Sequence, residues 1–146
     1  MAMSRVKVLF PLAKDQSGYP PFAVESVWAI RIGGGYTIDN IPFYARVVAL
    51  GDVVAAEERD GTLWYARTLT PSPNSLIRVV AYGGVGLESI RQDLSDLGCS
   101  TEVDAHRHVI AVSVPETASL SAVRAHLEAK HRKGVLDYEE PILREA

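Results

Sequence analysis

The densest run of titratable side chains in the sequence is Asp104-Ala105-His106-Arg107-His108. An imidazole titrates near neutral pH. His106 and His108, two apart on an extended chain and so on one side of it, have the residue types for an acid–base pair or two metal ligands. The same five residues have the polar character of a hairpin tip, and the sequence names no third ligand, so no metal site is assigned. Glu25 and Asp52 complete the set that a cofactor-free enzyme would draw on: Glu25, Asp52, Asp104, His106 and His108. Glu57 and Glu58 are adjacent and point to opposite faces of a strand, which stops them acting as a carboxylate pair on one substrate. Cys99 follows Gly98 at an expected helix end, where the dipole disfavours a thiolate. No G-x-S-x-G elbow supplies a serine nucleophile.

A second group suits binding rather than bond-making. Gly83-Gly84-Val85-Gly86 precedes a helical pattern and leaves backbone N–H groups around Gly84 facing a potential anion or ligand carboxylate. The motif is neither a Walker loop nor a dinucleotide fingerprint, and a plain strand-to-helix turn also explains it. Asn40, Phe43 and Asp52 fall in the stretch DNIPFYARVVALGDVV, where Pro42 holds the chain extended and Asn40 can satisfy nearby backbone. Phe43 is expected to plug the core at this corner. Trp64 and Tyr65 face opposite ways on a strand, so one of them looks outward as a contact surface. Ser75, just after Pro73-Asn74, is placed to bond backbone.

The elements that position these residues differ between the two halves. Val6, Val8, Phe10 and Leu12 alternate before a loop rich in Gly and Pro, the mark of a strand. A longer alternation sets Phe22, Val24, Ser26, Trp28, Ile30 and Ile32 on one face and Glu25, Val27, Ala29 and Arg31 on the other. Its more apolar side predicts Trp28 as core. Gly33-Gly34-Gly35 allows a reversal, and Asp60-Gly61 between two β runs predicts a type I′ hairpin. Thr70-Pro71-Ser72-Pro73-Asn74 breaks regular structure twice and predicts a seam between residues 1–72 and 73–146, within one compact unit.

Beyond it, Leu76 to Tyr82 reads as a strand, and Leu87, Ile90, Leu94 and Leu97 recur at helical spacing up to Gly98. Strands follow near Ser100 to Val103 and His108 to Val114. A second helix carries Leu120, Val123 and Leu127, capped by Thr117 or Ser119, and a last strand covers Val135 to Glu139. The fold class expected is therefore α+β: an N-terminal antiparallel β half, a small barrel-like sheet, followed by a ferredoxin-like βαββαβ half with both helices on one face.

Composition narrows the function classes. A chain of 146 residues with 47% hydrophobic and 23% charged residues is long enough for a real core and is not disordered. A formal net charge of -3 argues against a nucleic-acid partner. The one basic cluster, Lys130-His131-Arg132-Lys133, complements a helix C-terminus. A single cysteine excludes an internal disulfide framework and suits a reducing compartment. With no long hydrophobic leader or span, a cytoplasmic protein without membrane attachment is expected.

Glu25 with Trp28-Ala29, the Tyr36…Asn40-Ile41-Pro42-Phe43 stretch, Gly51-Asp52-Val53-Val54 and Ser75 together resemble the bacterial domain-of-unknown-function family numbered 4265, from about Val6 to Glu140. The resemblance implies a small bacterial cytosolic protein and no particular reaction, and carries over no catalytic residue. It singles out Glu25, Asn40, Pro42, Phe43, Asp52 and Ser75. The expected function is a non-enzymatic binding module, a regulatory or immunity-type partner of another protein that needs no cofactor. The alternatives are a small cofactor-free acid–base enzyme acting on a small molecule, and a small-molecule sensor using the Gly84 corner.

Overall fold

Alternating apolar residues put Val8 and Phe10 on one side of the first strand, and that side becomes the inside of a barrel. The computed structural model describes residues 5–144. The chain divides between Ser72 and Pro73 into two compact units. In the first, β1 (Arg5–Pro11), β2 (Val24–Ile32), β3 (Gly35–Ile38), β4 (Val53–Arg59) and β5 (Thr62–Thr70) form a closed barrel in that order. An up-and-down run of five strands leaves the first and last pointing the same way, so closure must be parallel. Among the described residues it is made by Val8 opposite Leu63 and Leu9 opposite Trp64 alone, whereas β1 pairs with β2 from Arg5 to Pro11. Register shifts in the β4–β5 pair supply the bends that curl so few strands into a barrel. Asp60 and Gly61 both have positive φ, 52° and 80°, as the predicted type I′ turn requires.

The interior is small. Val8, Phe10, Val27, Ala29, Ile38 and Val54 fill it, with Phe10 stacked on Tyr65 at 4.8 Å. The expectation that Trp28 is core is corrected here: Val27 and Ala29 of β2 point inward, and Trp28 lies outside with 36% of its surface exposed. The face with fewer large side chains is the one that fits inside a five-stranded barrel. The loop after β3 closes one end, placing Ala45 and Val48 in the barrel core. Those two plug the barrel in place of Phe43, which is half-buried.

The second unit runs β6 (Ser75–Ala81), a short 3-10 turn, α1 (Leu87–Asp96), β7 (Ser100–Asp104), β8 (Val109–Val114), α2 (Leu120–Arg132) and β9 (Leu136–Ile142). Its sheet order is β7-β8-β6-β9, antiparallel throughout, the βαββαβ order read from the sequence. Ile77 and Val79 of β6 and Ile110 and Val112 of β8 meet Ile90 and Leu94 of α1 and Val123 and Leu127 of α2 in one core, so both helices cover one face. Helix α1 ends in a Schellman motif: Gly98, at φ 96°, donates to the Ser95 carbonyl and Cys99 donates to that of Leu94. Ser119 caps α2, its hydroxyl accepting from the Ala122 amide at 3.2 Å. Strand β9 runs past Pro141 because it is a sheet edge, where a missing N–H costs no ladder bond. Among the described residues no helix is long and apolar enough to cross a membrane.

Candidate functional site

The acids singled out by the sequence are engaged by nearby backbone. Glu25 stands at the plugged end of the barrel, and its carboxylate accepts from three successive amides, Phe43 at 2.6 Å, Tyr44 at 3.0 Å and Ala45 at 2.8 Å. Asn40 ties the same loop to β2: its Oδ1 accepts from the Trp28 amide at 2.5 Å, and its Nδ2 donates to the Ile41 carbonyl at 3.2 Å. Asp52 is fully buried and accepts from the Ala49 amide at 3.0 Å and the Ser72 amide at 2.8 Å, joining the entry of β4 to the chain leaving β5. Loops that turn this sharply leave amides without strand partners, and carboxylates supply the missing acceptors. Ser75 does the same in the second unit, where its Oγ accepts from the Arg144 amide at 2.7 Å and donates to the Arg144 carbonyl at 3.1 Å.

Asp104, His106 and His108 lie at the β7–β8 hairpin. Asp104 ends β7 and accepts from the Arg107 amide at 3.3 Å, and His106 is exposed on the turn. His108 has a positive φ of 61°, and its ring lies at the glycine corner. A Cβ built on Gly84 would sit 2.8 Å from the His108 ring, so the corner and the histidine run, separate in sequence, meet in space. Glycine at 84 thereby serves two ends, a positive φ of 72° and room for an imidazole. No group of three or more His, Cys, Asp or Glu among the described residues is placed to hold a metal ion. Cys99 is buried in the second core, and that burial pushes its thiol up to about 11, the reverse of an activated nucleophile.

Chemistry converges instead at the end of the barrel opposite the plug, at residues the sequence reading left aside. The start of β1, the β2–β3 turn and the β4–β5 hairpin share this rim, as the antiparallel registers require. An open groove of about 560 Å³ lies there, lined by Arg5, Lys7, Trp28, Arg31, Tyr36 and Glu58 among others. The Arg5 guanidinium and the Lys7 ammonium stand 4.5 and 4.9 Å from the centre of the Trp28 ring. Arg31 stands 5.3 Å from that of Tyr36. Such cation–π contacts hold long, floppy side chains over rigid ones. Arg5 also bonds Asp39 through Nε at 3.1 Å, an exposed pair. Trp64, the outward member of its pair, carries Arg59 at 4.9 Å on the same hairpin, while Tyr65 packs against the core. The signal for this mouth was the polar side of the first strand, Arg5 and Lys7. Its weight depended on Trp28 being outside, which alternation alone read the other way.

Comparison with known proteins adds fold and family. No curated protein matches the chain. A hypothetical protein from Neisseria gonorrhoeae, known from a crystal structure, is similar in fold, with a TM-score of 0.76 at 21% identity over 100% of this chain and 99% of that one. A family model, the domain of unknown function DUF4265, matches residues 25–138, a span that runs from the loop-holding Glu25 through both units to β9. The chain therefore belongs to the DUF4265 family.

Proposed function

We propose that this protein is a non-enzymatic binding module, acting in the cytoplasm as a regulatory or immunity-type partner of another protein. One observation carries the reading: the carboxylates of Glu25 and Asp52 are spent on backbone amides, while the open barrel mouth presents cations and aromatic rings around a groove. General acid–base chemistry needs a group within hydrogen-bond reach of a reacting atom. Recognition needs exposed aromatic and cationic anchors, which the mouth supplies. The single free thiol fits a reducing compartment.

The test pairs two measurements on the full chain. Catalytic amounts are incubated with a metabolite extract and followed by mass spectrometry, and the tagged chain is crosslinked in a bacterial host that carries it naturally. The expected result is an unchanged metabolite profile and a protein recovered in stoichiometric amount, displaced by untagged chain. Turnover of a metabolite in excess of the protein, abolished by His106→Ala or His108→Ala, overturns the reading.

A further inference from the structure

Strand β1 is paired unequally on its two sides. Toward β2 it is matched from Arg5 to Pro11, but toward β5 only at Val8 and Leu9. Arg5, Val6 and Lys7 thus have no strand partner on the β5 side among the described residues, and the groove runs along this gap, with Thr62 and Leu63 of β5 in its far wall. Backbone groups in an unpaired strand edge are a template for another extended chain.

The side chains along the gap specify which chain. Arg5 and Lys7 are two residues apart in a strand, so they project to one face about 7 Å apart, the side-chain repeat of any strand laid beside them. Both pack over Trp28, which faces Lys7 in the β1–β2 register, and are therefore partly ordered before anything binds. Lys7 and Arg31 have no carboxylate partner among the described residues, and Arg5 has only the exposed Asp39. That carboxylate occupies Nε alone, the position a partner's acid would take or share. Glu58, the one carboxylate in the lining, stands on β4, beyond β5 from the cations, and disfavours acids on that side.

We propose that the open β1–β5 seam at the barrel mouth docks an extended acidic segment of a protein partner. The segment adds as a strand to β1 and sets alternate carboxylates against Arg5 and Lys7. This rests on the binding-module reading above and names its surface and the partner's chemistry. A peptide is favoured over nucleic acid because a strand edge bonds a peptide backbone, and the chain as a whole, at a net charge of -3, repels a long polyanion.

The test titrates the full chain into a fluorescein-labelled peptide that alternates Asp with Thr, followed by anisotropy at low salt. The expected result is saturable binding, weakened at least about tenfold by Arg5→Ala with Lys7→Ala, unaffected by Lys133→Ala in the basic cluster of the second unit, and strengthened by Glu58→Gln. Physiological salt weakens it, since the charges are exposed. N-methylation of alternate peptide amides abolishes binding on one edge only. Circular dichroism verifies that the exposed substitutions leave the fold intact. Absence of binding, indifference to the Arg5 and Lys7 changes or to N-methylation, or equal binding of a single-stranded oligonucleotide of the same charge each overturn the proposal. None of these removes a partner recovered by crosslinking, so failure here is separable from failure of the binding-module reading.

Discussion

Glu25 illustrates how a residue with chemical capacity becomes structural. A carboxylate with three amides converging on it is an acceptor site for a loop, and the loop is what plugs the barrel. Glu25→Ala should cost about 3 kcal/mol in chemical denaturation, because the amides lose a charged acceptor together, and Glu25→Gln about half of that. An unchanged midpoint for both would return Glu25 to the acid–base candidates. A second residue pair makes a pH prediction. Tyr138 on β9 donates to Glu128 on α2 at 2.7 Å, which, with burial, raises the phenol from 10.0 to about 12. The same bond, with help from Arg132, lowers the Glu128 carboxyl. A phenol held protonated by the fold contributes stability that is whole below about 10 and fades as pH rises through about 12. A carboxyl held ionised contributes stability above its ordinary range that fades as pH falls through its lowered value. Spectrophotometric titration should show a late tyrosine component that Glu128→Gln brings back toward 10; a titration curve unchanged by that substitution would contradict the contact.

At the scale of elements, the barrel depends on how closely strands approach. Gly35 opens β3 where a Cβ would sit 2.9 Å from Val53 Cγ1, 3.1 Å from the Val54 carbonyl and 3.2 Å from Leu69 Cδ1. Gly35→Ala should therefore destabilise by roughly 1–3 kcal/mol, read as a lower denaturation midpoint, while Gly34→Ala, which meets nothing within 4 Å, should change it far less. Equal effects would mean that turn flexibility and not packing sets the cost. Element identity was legible because it rests on local periodicity: the helices at Leu87–Asp96 and Leu120–Arg132 and the Asp60-Gly61 hairpin lie where spacing and turn residues put them. Which face of β2 turns inward was not legible. Both of its sides carry apolar residues, and the choice is made by the volume available inside a barrel that β2 alone does not describe.

For the molecule as a whole, each unit carries its own core, and one thiol reports on one of them. Cys99 is buried in the core of the second unit, and that burial pushes its thiol up to about 11, so alkylation at mildly alkaline pH should proceed only through opening of the second unit. Iodoacetamide labelling of the native chain should be at least about a hundredfold slower than of the urea-unfolded chain, and should accelerate with urea in step with loss of α1 and α2 signal by circular dichroism. Labelling at the unfolded rate in native buffer would show that the thiol is reachable without opening.

By itself the sequence determined the class of structure: a β-rich half, a helix-bearing βαββαβ half, and turn positions set by Gly, Pro and Asp-Gly, because backbone conformation and side-chain period are local properties. It also singled out Glu25, Asn40, Asp52 and Ser75 and read Asn40 and Ser75 as bonding backbone, but not which amides these residues hold, since those lie as far as 20 residues away for Glu25 and Asp52 and 69 for Ser75. Only the tertiary structure decided that the barrel closes through Val8 and Leu9 of β1 against Leu63 and Trp64 of β5, that Trp28 stands outside under Arg5 and Lys7, and that one barrel end is plugged while the other is an open groove. Closure, burial and the meeting of charges depend on which strands become neighbours and on how much volume they enclose, and no local stretch of sequence carries either quantity.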